Sequence, residues 1–139
     1  MPNTGPRVGT TIVVAAVIRD SAGKILLTQR PEDSHMGGLW EFPGGKIEEG
    51  EAPVAALERE LREELAISAK IGSPLTFSIH EEPGMRILLL FFAATLGDEH
   101  PTALEAQQIA WVAPRDLPSY PTPPADAELV RTLARHPAS

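Results

Sequence analysis

Residues 86–96, RILLLFFAATL, carry one charge and then run almost without a polar interruption. A strand with one wet face alternates apolar and polar residues, so this stretch is too continuously apolar for the surface and reads as an interior strand. Leu75 to Glu82 precedes it across EEPG, and the two read as a hairpin. Thr11 to Arg19 and Lys24 to Arg30 are β-branched or apolar runs around the turn residues DSAG, which reads as another hairpin. LWEFPGG suggests an extended segment ending in a tight Pro-Gly-Gly loop. Pro53 is tolerated only in a first turn, so a helix is expected from about Ala52 to Ala66. GDEHPTALEAQ reads as a polar loop, QQIAWV as a short strand, and PRDLPSYPTPP as a surface wrap. Pro124 to Arg135 reads as a closing helix with Leu129, Val130 and Leu133 inward. Strands outnumber helices without βαβ alternation, which predicts an α+β fold with helices packed on a mixed sheet. With 139 residues, no repeat and no long linker, one domain over residues 1–139 is expected.

Composition narrows the function classes. The absence of cysteine excludes a disulfide framework, a thiolate metal site and a cysteine nucleophile. The net charge of −7 argues against a nucleic-acid polymer as partner. It still allows a small polyphosphate if divalent cations lie between carboxylates and phosphates. IVVAAVI is far shorter than the roughly 20 apolar residues of a membrane span. No signal-peptide pattern is present, so a soluble, cytoplasmic protein is expected, as a monomer or a homodimer.

The helix from Ala52 to Ala66 carries two stripes. Val54, Leu57, Leu61 and Leu65 form a core-facing side. Glu60, Glu63 and Glu64, spaced i, i+3 and i+4, form another that the wheel sets roughly opposite, converging on one patch. Like charges at this spacing destabilise by about 0.2–0.5 kcal/mol per pair. Anions in a last turn also oppose the helix dipole, typically by about 0.3–1 kcal/mol each. Two readings fit: a solvated acidic face, or a site for a hard divalent cation such as Mg²⁺ or Mn²⁺ that takes carboxylates together with substrate phosphate. His35, His80, His100 and His136 are too scattered to suggest zinc.

Gly45, Glu51 and Arg59-Glu60-Leu61-Arg62-Glu63-Glu64-Leu65-Ala66-Ile67 resemble the signature of the Nudix hydrolases in residue type and spacing, with one departure. Ala66 stands where that family has glycine, and a left-handed alanine there would cost about 1–2 kcal/mol, so a different helix end is expected. TQRPEDSHMGGLWEFPGGKIEEGE and PPADAEL extend the resemblance to the MutT-like, nucleotide-sanitising branch over nearly the whole chain. That resemblance implies an α/β/α sandwich around a mixed β-sheet and Mg²⁺-dependent hydrolysis of a nucleoside triphosphate to the monophosphate and pyrophosphate, by attack at the β-phosphorus. It implies metal binding by Glu60, Glu63, Glu64 and the Gly44 carbonyl, with Glu105 as a further acid. Glu60 or Glu63 would accept the proton of the attacking water. Gly45 would allow close backbone approach, and Glu51 with Arg59 would brace the loop. Arg30 and Lys46 would contact phosphate, and His35 would line the nucleotide pocket.

Asp126 falls where guanine-reading relatives use asparagine. An ionised carboxylate only accepts hydrogen bonds and would suit the amine of cytosine, whereas a protonated one also donates and would admit oxidised guanine. The leading expectation is a sanitising enzyme acting on 8-oxo-dGTP. CTP or modified dCTP, another diphosphate such as ADP-ribose, and a non-catalytic nucleotide-sensing module are the alternatives.

Overall fold

The computed structural model of the chain describes residues 9–106 and 108–135. Its elements are β1 (Thr10–Ile18), β2 (Ile25–Gln29), β3 (Trp40–Glu41), β4 (Gly44–Lys46), α1 (Pro53–Leu65), β5 (Lys70–Glu82), β6 (Met85–Thr95), β7 (Gln108–Val112) and α2 (Pro124–Arg135). A four-stranded mixed sheet has the order β4-β1-β6-β5, and a three-stranded antiparallel sheet the order β3-β2-β7. The apolar run lies in β6, parallel to β1 from Thr10↔Arg86 to Ile18↔Ala94 and antiparallel to β5. Both its edges are paired.

Both its faces are packed as well. Successive strand residues point to opposite faces. Val14, Ala16 and Ile18 of β1, with Phe92 and Ala94 of β6, pack with Leu57, Leu61 and Leu65 of α1. Ala15 and Val17, with Leu89 and Phe91, pack with Leu129, Val130 and Leu133 of α2. The result is an α/β/α sandwich with a core on either side of the mixed sheet. Each fully buried leucine contributes roughly 1.5–3 kcal/mol, so the Leu57-Leu61-Leu65 stripe is a principal anchor of α1.

Several local expectations change once the sheets are in place. β1 and β2 do not form a hairpin. Asp20 closes a tight turn, its Oδ1 accepting from the Ala22 and Lys24 amides, but only the bridge Arg19↔Ile25 follows. The edges of β1 are taken by β4 and β6, so β2 must leave for the second sheet. Gly44 and Gly45 are not a loop but strand, opposite Ala15 and Val14, and the chain changes sheets at Pro43. Residues 52–55 are exposed, so the first turn of α1 stands clear of the sheet. Val54 is 41% exposed, and Ala56 is buried in its place. The proline-rich segment does more than wrap: Pro114–Ser119 is a 3₁₀ helix with Pro114 and Leu117 buried. β7 begins at Gln108, and Gln107 lies outside the described residues. Among the described residues no helix is long and apolar enough to cross a membrane.

The end of α1 also differs from expectation. Ala66 adopts the left-handed conformation (φ 57, ψ 37) despite its Cβ. Its amide bonds to the Arg62 carbonyl at 3.0 Å, and the Ile67 amide to that of Leu61 at 3.4 Å. Ile67 and Ala69 are buried directly afterwards, so core packing outweighs the local strain. Ala66→Gly removes about 1–2 kcal/mol of strain and adds back roughly 0.4–1 kcal/mol of unfolded-state entropy. The expected outcome is a rise in Tm of roughly 2–5 °C, measured by thermal denaturation; an unchanged or lower Tm refutes the strain.

Candidate active site

The site begins where β4 meets α1. A Cβ on Gly44 would collide with the Val14 carbonyl and lie 2.7 Å from the Ala15 Cα; one on Gly45 would run into the Glu60 carboxylate. Both glycines are therefore required by close approach, Gly44 to β1 and Gly45 to the helix.

Arg59 locks this junction. Its Nε and Nη2 grip Glu51 at 2.8 and 2.9 Å, and Nη2 also donates to the Lys46 carbonyl at 3.0 Å. Nη1 donates to Glu60 at 2.9 Å and Glu63 at 3.1 Å. One guanidinium thus ties β4, the loop and two acids of its own helix. Glu51 also accepts from the Glu48 amide, and these bonds hold its carboxyl down to about 2.

The acidic stripe does not lie opposite the core. At about 100° per residue Glu64 comes within about 20° of Leu57, seven residues earlier. Glu64 is accordingly half-buried, and burial, with Glu41, Glu60 and Glu105 adding repulsion and a Thr28 hydrogen bond opposing, pushes its carboxyl up to about 8. Glu60 is also raised, first by burial, against Arg59 and with Glu63 and Glu105 adding. Glu105 arrives through the polar loop, whose Thr102 and Leu104 amides bond to the Leu65 and Glu64 carbonyls at the end of α1. Among the described residues no three acids or histidines yet surround one point: Glu60 and Glu63 are turned onto Arg59. The donor set nevertheless fits a hard divalent cation: its side chains offer carboxylate oxygens only, and Glu60 and Glu64 are half-buried, where like charge is costly, while Glu63 and Glu105 stay exposed. His136 lies outside the described residues.

A cavity of about 370 Å³ opens beside this junction, bounded by Gly44, Gly45 and Lys46 at one end. Val13, Ala15, Phe42 and Leu89 are apolar parts of its lining, and Arg30, His35, Glu41 and Asp126 supply polar groups. Arg30 Nε pairs with Glu41 at 3.0 Å and Nη1 donates to the His35 carbonyl at 3.1 Å, so Arg30 braces the cavity loop. Asp126, in the first turn of α2, is 4% exposed. Burial, with Glu41 adding and Arg30 opposing, pushes its carboxyl up to about 8. Glu41, which sequence analysis passes over, thus stands between Asp126 and the acids of α1. Its signal was a lone carboxylate between Trp40 and Phe42 in a segment that reads as extended.

The raised Asp126 sets a pH dependence of stability. Unfolded, this carboxyl ionises near 4; folded, it keeps its proton until about 8, so its contribution is lost as pH rises between those values. Asp126→Asn removes that loss. In thermal melts without divalent cations, the variant is expected to gain on the wild type as pH rises from 5 to 8.5; parallel curves refute the assignment.

Residues 9–133 match the NUDIX domain family. The chain is 47% identical over 123 residues to a CTP pyrophosphohydrolase of Escherichia coli K12, covering 87% of this chain and 89% of that protein. It is 34% identical over 123 residues to an 8-oxo-dGTP diphosphatase of the same strain, covering 88% and 95%. The solution structure of the E. coli ORF135 protein superposes with a TM-score of 0.78 at 41% identity, covering 97% of this chain and all of that one (100%). A MutT protein from Methanosarcina mazei Go1 shares the fold, with a TM-score of 0.85 at 22% identity over 97% and 100% of the two chains. With this agreement across nearly its full length, the chain belongs to the NUDIX domain family.

Proposed function

We propose that this NUDIX hydrolase of phosphoric anhydride bonds acts on oxidised purine nucleoside triphosphates in the cytoplasmic nucleotide pool, 8-oxo-dGTP foremost, releasing the monophosphate and pyrophosphate. The observation that carries the choice of base is the place of Asp126 on the cavity wall, only 4% exposed, where burial pushes its carboxyl up to about 8 and favours the neutral form. A neutral carboxyl offers one donor and one acceptor side by side. Ordinary guanine presents two acceptors, N7 and O6, along that edge. Oxidation at C8 converts N7 to N–H, so the edge becomes donor plus acceptor and matches Asp126.

Mg²⁺ is the proposed cofactor, with Mn²⁺ as a substitute. Glu60, Glu63, Glu64, Glu105 and the Gly44 carbonyl would hold it. When bound, such ions neutralise phosphate charge and lower the pKa of the attacking water. Lys46 meets phosphate as a point charge and Arg30 steadies the same end of the nucleotide, with His35 beside it in the cavity lining. Glu60 and Glu63 are the proton acceptors on offer; both share Arg59 Nη1, which balances charge on either. Glu51 keeps Arg59 in place, and Gly45 leaves room for Glu60.

A second reading, CTP or a modified dCTP, is favoured by the 47% identity to a relative named CTP pyrophosphohydrolase. An ionised Asp126 would accept from the cytosine amine.

Two kinetic experiments test these readings. Glu63→Gln is expected to keep the wild-type Tm and lose at least about 100-fold in kcat with Mg²⁺; near-wild-type turnover removes Glu63 from the site. Asparagine reproduces the donor and acceptor of the neutral acid, so Asp126→Asn is expected to raise the 8-oxo-dGTP to CTP ratio of kcat/KM severalfold. An unchanged ratio excludes Asp126 as the reader of the base.

A further inference from the structure

Strand β5 is amphipathic. Phe77 and Ile79 are 61% and 56% exposed, whereas Ser78, His80 and Glu82, on the opposite face, are half-buried. Its sheet carries a helix on each face, and it is the α2 face of β5, where Ser78 bonds to Ala125, that holds the polar residues. Here the inward polar residues meet a cavity. His80 and Glu82 line the same cavity as Asp126 and Lys46.

The sheet order gives that cavity two ends. Lys46, Gly45 and Gly44 lie on β4, at one edge; His80 and Glu82 lie on β5, at the other, with β1 and β6 between. Three inter-strand steps separate the edges, about 14 Å. Near the β5 end stands α2, fixed to the strand by Ser78 Oγ donating to the Ala125 carbonyl at 2.7 Å. His80 is two residues from Ser78 on the same face, about 7 Å along the strand. It therefore forms a polar wall close to the first turn of α2, far from the acids of α1.

His80 is also oriented. Its Nε2 lies 3.4 Å from Glu82 Oε2, and both side chains are partly shielded, 22% and 32% exposed. With Nε2 turned to that carboxylate, the ring is held in place and Nδ1 is left for a polar group in the cavity.

We propose that His80 is a specificity-determining contact to the nucleoside part of the substrate, and that Glu82 is the residue that positions it. This rests on the nucleotide reading of the cavity given above. Phosphates bind at the β4 edge, and the nucleoside reaches across β1 and β6 to the β5 face. No bond is made or broken by His80, so its influence falls on binding and on the choice of base rather than on the chemical step.

The test is steady-state kinetics with Mg²⁺ on wild type, His80→Ala, His80→Gln and Glu82→Gln, using 8-oxo-dGTP and CTP. His80→Ala is expected to raise KM about tenfold with kcat within about twofold, and to change the ratio of kcat/KM between the two nucleotides. His80→Gln, which keeps a polar group there, recovers most of the loss; Glu82→Gln raises KM less than His80→Ala does. Unchanged KM and ratio in His80→Ala overturn the proposal. So does an equal fall of kcat for both nucleotides together with a lower Tm, the mark of a merely structural residue. Should the wild type cleave neither nucleotide, the proposed function fails on its own account, and calorimetric binding of the corresponding nucleoside monophosphates decides the contact. Weaker binding by His80→Ala upholds it; equal affinity, or no binding by the wild type, overturns it.

Discussion

The guanidinium of Arg59 is the point on which the site depends. It is a planar fork with five donors, and here they reach Glu51, the Lys46 carbonyl, Glu60 and Glu63 at once. Those partners come from a strand, a loop and a helix, all held by one side chain in addition to the β4–β1 pairing and the leucine stripe of α1. A lysine supplies one point charge and could not span them. The loop from Lys46 to Ala52 is thereby fixed at its polar end, while Ile47 packs on the core beneath α1. The same group sits among carboxylates that repel one another, so it also makes their proximity tolerable.

The sandwich explains why polar groups gather at its open ends. α1 and α2 cover opposite faces of the β4-β1-β6-β5 sheet, and each leaves part of its face free. On the α1 side Glu60 and Glu64 flank the buried stripe, near enough to the core to lose hydration and far enough to keep reach. On the α2 side the uncovered sheet becomes the floor of the cavity, with Asp126 at the helix start and His80 on the edge strand. Arg30 and Glu41 lie between the two regions. Glu41 is felt by Glu64 and Asp126 alike, so charge in one region bears on the other.

Much of this was legible in the residues themselves. The apolar run in β6 demanded a strand packed on both faces, Pro53 marked the helix start, and Leu129, Val130 and Leu133 marked the inner face of α2. The spacing of Gly45, Glu51, Arg59, Glu60, Glu63 and Glu64 carried the family. Local patterning misled where an outcome depended on distant partners. DSAG has the chemistry of a hairpin turn, yet β1 had no edge to offer β2. The glycines after Pro43 look like a loop, yet the Val14 carbonyl that Gly44 must approach is thirty residues away in the chain, and Gly45 must approach Glu60 on the helix.

By itself, then, the sequence determined the long strands and both α-helices, most of their apolar faces, and that acids cluster on one helix. Periodicity and backbone chemistry are local, and local rules suffice for them. Only the tertiary structure decided that Glu64 and Asp126 are desolvated, that Arg30 serves Glu41, and that His80 faces a cavity instead of water. Burial and charge proximity are properties of the packed sheet order, and no single segment contains them.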